Sequence, residues 1–133
     1  MKNLITTIAS ILILMVYLLQ FINNQQIHNT VVNIDREINC IKEISKQEGY
    51  LTEKNRSELL DKLSDIANCD TGEIVITGTD EKKYRGELIH IYVKLPIKNL
   101  IVANEFFGID DIDNQGFYKF DFYTTSEHLE REN

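Results

Sequence analysis

The chain has a single proline, Pro96, and no glycine before Gly49. The two residues that most readily break a helix are thus missing from its first 48 positions. Charge is missing as well from Leu4 to Ile22, LITTIASILILMVYLLQFI, nineteen residues without Asp, Glu, Lys or Arg. There are two cysteines, Cys40 and Cys69, with no CxxC pair and no Cys/His cluster, which argues against a zinc site. No glycine-rich phosphate loop, GxSxG elbow or metal motif occurs, so no catalytic residue and no cofactor is expected. Basic residues are also scarce. With Lys2 set aside, 13 basic residues stand against 21 acidic ones, a charge of −8 on the part beyond the apolar stretch. Such a surface is poorly suited to nucleic acid, which needs cations to displace counterions, and to lying flat on anionic lipid.

What the chain does have begins with that apolar stretch. A cleaved signal would need small residues after its core, but here the core runs into Gln20, Phe21, Ile22, Asn23 and Asn24. A buried core helix is usually shorter. An uncleaved transmembrane helix fits, because nineteen residues at 1.5 Å each span roughly 28 Å, close to the hydrocarbon thickness. Leu4, Ile8, Ile11, Leu14, Leu18 and Ile22 are the expected lipid-facing side chains. Thr6, Thr7 and Ser10 are tolerable because hydroxyls bond back to helix carbonyls. The amino terminus and Lys2 precede the stretch, and the first base after it is Arg36. Basic flanks tend to stay inside, so the reading is a cell-membrane protein with a cytoplasmic N-terminus and an extracytoplasmic domain.

Behind the stretch, Ile27, Val31, Ile34, Ile38 and Ile41 recur in steps of four and three, one buried face of a helix that packs on a sheet. Ile44 widens the stripe and Gly49 stops the helix. Thr52 reads as the N-cap of a second helix carrying Leu59, Leu60, Leu63 and Ile66 on one face, antiparallel to the first. Short strands follow. Glu73–Thr77 is β-branched, Glu87–Leu95 alternates with Ile89, Ile91, Val93 and Leu95 on one side, and Pro96 ends that strand or marks an edge. Leu100–Val102 is a candidate short strand, Glu105–Gly116 an acidic loop, and Phe117–Thr125 a further alternating strand. Ser126–Asn133 is charged and expected to fray. The fold class is α+β, with a long N-terminal helix, a second helix and an antiparallel sheet of three or four strands. Residues 1–22 form the tip and membrane helix. Residues 23–133 form the domain, with helices at 23–48 and 53–68 and strands within 73–125. The length remaining after the anchor, roughly 110 residues, suits one small domain.

Four constellations invite chemistry. Asp110, Asp111 and Asp113 before Gly116 loosely match the first half of a calcium loop, but Phe122 stands where a bidentate Glu is needed, so this is no EF-hand. A looser calcium site or a solvated acidic turn are the two readings. His28, His90 and His128 are scattered and read as surface residues. Phe117 and Tyr123 share one face of the last strand, and Tyr118, Phe120 and Phe122 the other. That pattern asks either for cover on both sides or for aromatic rings resting on neighbours at the surface. Cys40 and Cys69 are either a disulfide, permitted in an extracytoplasmic domain, or two buried thiols.

The layout of short tip, membrane helix running into an amphipathic helix, and C-terminal strands resembles a type IV pilin or pseudopilin. It is most similar to the small pseudopilin-like proteins of tight-adherence pilus loci in Gram-positive bacteria. VVNIDREINCIKEISKQEGYLTEKNRSELLDKL resembles the helix, glycine turn and second helix of that group, and ELIHIYVKLPIKNLIV its amphipathic strand. The resemblance implies a structural protein that packs with membrane lipid and with other pilin-like or apparatus membrane proteins, as a homo- or hetero-oligomer. One departure stands out. Prepilins carry a Gly before the apolar segment and a Glu five residues into the mature chain, whereas this chain has no Gly before Gly49 and no Glu before Glu37.

Overall fold

The computed structural model describes residues 1–129. Its elements are α1 (Lys2–Glu48), α2 (Glu53–Ala67), a 3-10 turn (Thr71–Glu73) and three strands, β1 (Val75–Gly78), β2 (Leu88–Lys98) and β3 (Gln115–Thr125). The fold is α+β, with one antiparallel sheet in the order β1-β2-β3. The chain divides into two compact units. One holds Met1–Asn29 and Ile97–Gly116, and the other Thr30–Pro96 and Phe117–Asn133.

α1 is continuous over 47 residues, as expected of a segment lacking proline and glycine. It ends where Gly49 adopts φ +88° and its N–H donates to Ser45 O at 2.8 Å. A side chain there would meet Lys83 O at 2.3 Å, so glycine is required by space as well as by φ.

In the second unit the core is the stripe Ile34, Ile38 and Ile41, all nearly inaccessible, against Leu59 and Leu63 of α2 and Ile89, Ile91, Val93 and Leu95 of β2. Burying each of these side chains contributes about 1.5–3 kcal/mol before the entropy of ordering it is subtracted. The stripe continues one step of four further, to Ser45. Ile44 and Val31 are only half-buried. Thr52 caps α2, accepting from Asn55 N–H at 3.2 Å, and Asn68 closes it in the left-handed region. Asn55 bonds Glu48 near the turn, and Lys62 bonds Glu37 further out, the order an antiparallel helix pair produces. Leu51, in the turn, is fully buried. Gly78 leaves it room, since a side chain there would lie 2.9 Å from Leu51 Cδ2.

Several expectations are corrected. Pro96 does not end β2, which is the central strand and runs on to Lys98, but stands on a stretch of it that β1 does not reach. His90 O accepts from Thr79 N on the β1 side, and alternate residues point the same way, so Pro96 also faces that side. The β1 pairing stops at Val75↔Lys94, so no ladder donor is needed where proline lacks one. The first strand begins at Val75, after the 3-10 turn takes Thr71–Glu73. Leu100–Val102 is not a strand. Its N–H groups are taken by Asn114 O, Asn114 Oδ1 and Gln20 Oε1, leaving no ladder to form.

The tail also departs from expectation. Ser126 is buried. Its N–H donates to Glu87 O, its Oγ donates to Lys83 O at 2.8 Å, and His128 N–H donates to that Oγ. Glu127 N–H donates to Lys46 O, and His128 Nδ1 lies 3.0 Å from Gln47 O, so the tail caps the last carbonyls of α1. The rest of the segment expected to fray, residues 130–133, lies outside the described residues.

Candidate functional site

The first unit is built around the apolar part of α1. Leu4, Ile8, Ile11, Leu14, Leu18 and Ile22 are all exposed, and no residue of the most apolar window is buried. Thr6, Thr7 and Ser10 turn their hydroxyls back to Lys2 O, Asn3 O and Thr6 O at 2.7–2.9 Å, hiding their polarity inside the helix. Among the described residues this is one helix long and apolar enough to cross a membrane, and it fits a single-pass membrane protein.

At the end of that stretch α1 grips the loop that joins β2 and β3. Gln20 Nε2 donates to Leu100 O at 2.8 Å, and its Oε1 accepts from Val102 N–H at 3.0 Å. Asn23 Nδ2 donates to Asn99 O at 2.7 Å and Leu100 O at 3.2 Å. A groove of about 350 Å³ lies between them, lined by Ile13, Val16, Tyr17 and Gln20 of the helix and Ile101, Ala103 and Phe107 of the loop. This clamp was missed from the sequence, where Gln20 and Asn23 served only to argue against a cleavage site. The available signal was side-chain amides crowded at the end of an apolar run, in need of hydrogen-bond partners.

Ile27, expected to pack on the sheet, is half-buried, and full burial begins only at Ile34. The acidic residues Asp110, Asp111 and Asp113 are exposed. Asp111 Oδ1 accepts from Asn104 Nδ2 at 2.9 Å, while Asp113 and Asn114 N–H close a turn onto Asp110 O. Among the described residues no group of three or more His, Cys, Asp or Glu could hold a metal ion.

In the second unit the outer face of the sheet carries the aromatic residues whose cover was in question. Tyr123 and Phe117 are exposed. Tyr123 stacks on His90 with ring centroids 4.4 Å apart, and Lys94 Nζ lies 4.5 Å from the Phe117 ring. His90 Nε2 also meets Asp121 Oδ1 at 2.7 Å. The rings therefore rest on surface neighbours. On the other face Tyr118 hydrogen-bonds Asp35 of α1, and Lys42 lies over Phe122.

The structure does not bring Cys40 and Cys69 together as a bridge. Cys40 is exposed on α1 and Cys69 is buried beyond the α2 cap, so the reading of two buried thiols fails for Cys40. It lies between stripe positions, on the solvent side of the helix.

The domain surface is acidic but laced with ion pairs. Lys62 bridges Glu58 at 2.9 Å and Glu37 at 3.2 Å. The hydrogen bond from Lys62 holds the Glu58 carboxyl below its ordinary pKa, and the same bond, with that to Glu37, holds Lys62 above its own. Comparison with protein-family models, with curated proteins and with solved structures finds no match to this chain.

Proposed function

We propose that the protein is a single-pass, membrane-anchored structural component, a pseudopilin-like subunit of a pilus, secretion or conjugation apparatus. Its mechanism is packing, with no chemistry performed on a substrate. The observation that carries this reading is the unbroken α1, apolar on every side from Leu4 to Ile22 and one-sided from Ile34 to Ser45. The first part offers a surface to lipid or neighbouring helices, and the second packs into a folded domain. The absence of any glutamate within the apolar stretch favours an accessory subunit over a major pilin.

A membrane-tethered binding domain is the rival. It treats the apolar helix as a replaceable anchor. The clamp by Gln20 and Asn23 counts against it, because the helix end holds a loop in place. Replacing Leu4–Ile22 with an unrelated transmembrane helix of equal length separates the two. The structural reading expects insertion to persist and cross-linked membrane assemblies to disappear. Assemblies that persist unchanged would favour the tether.

Orientation is tested at Cys40, exposed where Cys69 is buried. A membrane-impermeant maleimide added to intact cells should label Cys40 if the domain lies outside. Labelling only after lysis would reverse the topology.

A further inference from the structure

The loop 99–114 carries apolar side chains that stay largely exposed among the described residues. Phe106 is 87% exposed, Ile112 79% and Phe107 60%. Its place on α1 is fixed by the bonds from Gln20 and Asn23. Phe107 lines the groove with Ile13, Val16 and Tyr17, so the loop extends alongside the apolar stretch. From Gln20 back to Ile13 is about 10 Å of helix, a depth typical of elements that insert into the headgroup and upper acyl region.

The loop's polar groups suit that position. Much of its backbone is satisfied from within. Leu100 N–H bonds Asn114 O, Ile101 bonds Asn114 Oδ1, Phe107 bonds Ala103 O and Ile109 bonds Asn104 O, while the Asn104 and Asn114 amides return bonds to Ile109 O and Ile101 O. Irregular backbone cannot sit in bare hydrocarbon, and Glu105, Asp110, Asp111 and Asp113 must stay hydrated. Both constraints stop the loop at the interface.

We propose that this loop is an interfacial wedge, with Phe106, Phe107 and Ile112 seated among lipid headgroups and the first acyl carbons beside α1. On that side of the helix the lipid-facing length shortens, and the bilayer thins locally to meet the loop. The proposal rests on the membrane reading of α1.

The chain contains no tryptophan, so single reporters are clean. Phe106→Trp replaces a ring that is 87% exposed and meets only the edge of Phe107 among the ring contacts seen, and Leu12→Trp reports the span itself. Each full-length variant would be reconstituted in phosphatidylcholine vesicles containing lipids brominated at shallow or deep acyl positions. The expected result is a blue-shifted Phe106→Trp emission, quenched by shallow bromines and several-fold less open to aqueous acrylamide than in urea, with Leu12→Trp quenched by deep bromines. Deep quenching of Leu12→Trp with Phe106→Trp open to acrylamide would overturn the wedge alone. Shielding of Phe106→Trp from acrylamide and bromines alike would also overturn it, pointing to a protein cover. A Leu12→Trp untouched by bromines would remove the membrane reading and the wedge together.

Discussion

Isoleucine meets two different environments along α1. Ile5, Ile8, Ile11, Ile13 and Ile22 are between 51% and 71% exposed, whereas Ile34, Ile38 and Ile41 are no more than 2% exposed. The residue type and the helix are the same. What differs is the other face: apolar residues surround the first set, while Asn33, Arg36, Asn39 and Glu43 accompany the second. A one-sided helix finds its cover within its own domain. An all-round apolar helix stays largely exposed among the described residues, a surface that suits lipid or a partner.

The sharpest way to break this contrast is to truncate one isoleucine of each kind. In the full chain held in detergent, Ile38→Ala should lower the stability of the domain to urea by about 2–5 kcal/mol, through lost burial and a residual cavity. Ile11→Ala should leave it within about 0.5 kcal/mol. Equal effects would show that the two halves of α1 are not differently employed.

The next effect lies where the domain half of α1 ends. Gly49→Ala should cost about 2 kcal/mol or more in the same assay, since it combines a positive φ with a clash against Lys83 O. Ser126→Ala should follow at about 1–3 kcal/mol by leaving Lys83 O and His128 N–H without their partner. A silent Ser126→Ala would mean that the tail does not hold the α1 C-terminus.

Ser45 sharpens the comparison from the opposite direction. It is fully buried in the stripe, and its Oγ has no hydrogen-bond partner among the described residues. Ser45→Ala should therefore be neutral or stabilising, by up to about 1 kcal/mol, as an unpaired buried hydroxyl is removed. The smallest effect is electrostatic. Because the folded-state pKa of Glu58 is lowered, chiefly by the Lys62 hydrogen bond, its contribution is present above the unfolded carboxylate pKa and is lost as pH falls through the lower folded value. Glu58→Gln should flatten the acid limb of the stability profile slightly, and added salt should shrink the difference between the two chains.

Much of this fold was legible in the sequence because the signals were local. The 3.6-residue period located the buried face of α1, Thr52 and Gly49 marked helix ends, and alternation from Ile89 to Leu95 identified a strand with one buried face. What could not be read depended on distant partners. Pro96 lies inside β2 because β1 is too short to reach it, a fact held in another segment. Ser126 looked like tail chemistry until Lys83 and Glu87 came alongside. Gln20 and Asn23 spoke only against a cleavage site, and only the path of residues 99–102 shows what they hold. The exposed face of β3 was ambiguous for the same reason, since Tyr123 is settled by His90 across the sheet.

The most direct test is a spin-label scan along α1 from Ile8 to Ser45 in vesicles, in a Cys40→Ser, Cys69→Ala background. Oxygen and a polar nickel chelate would report lipid and water at each position. High oxygen accessibility is predicted on every side through Ile22. A 3.6-residue oscillation should follow, with minima to both reagents at Ile34, Ile38, Ile41 and Ser45. Nickel accessibility throughout Leu4–Ile22, or one uniform oscillation along the whole helix, would contradict the account.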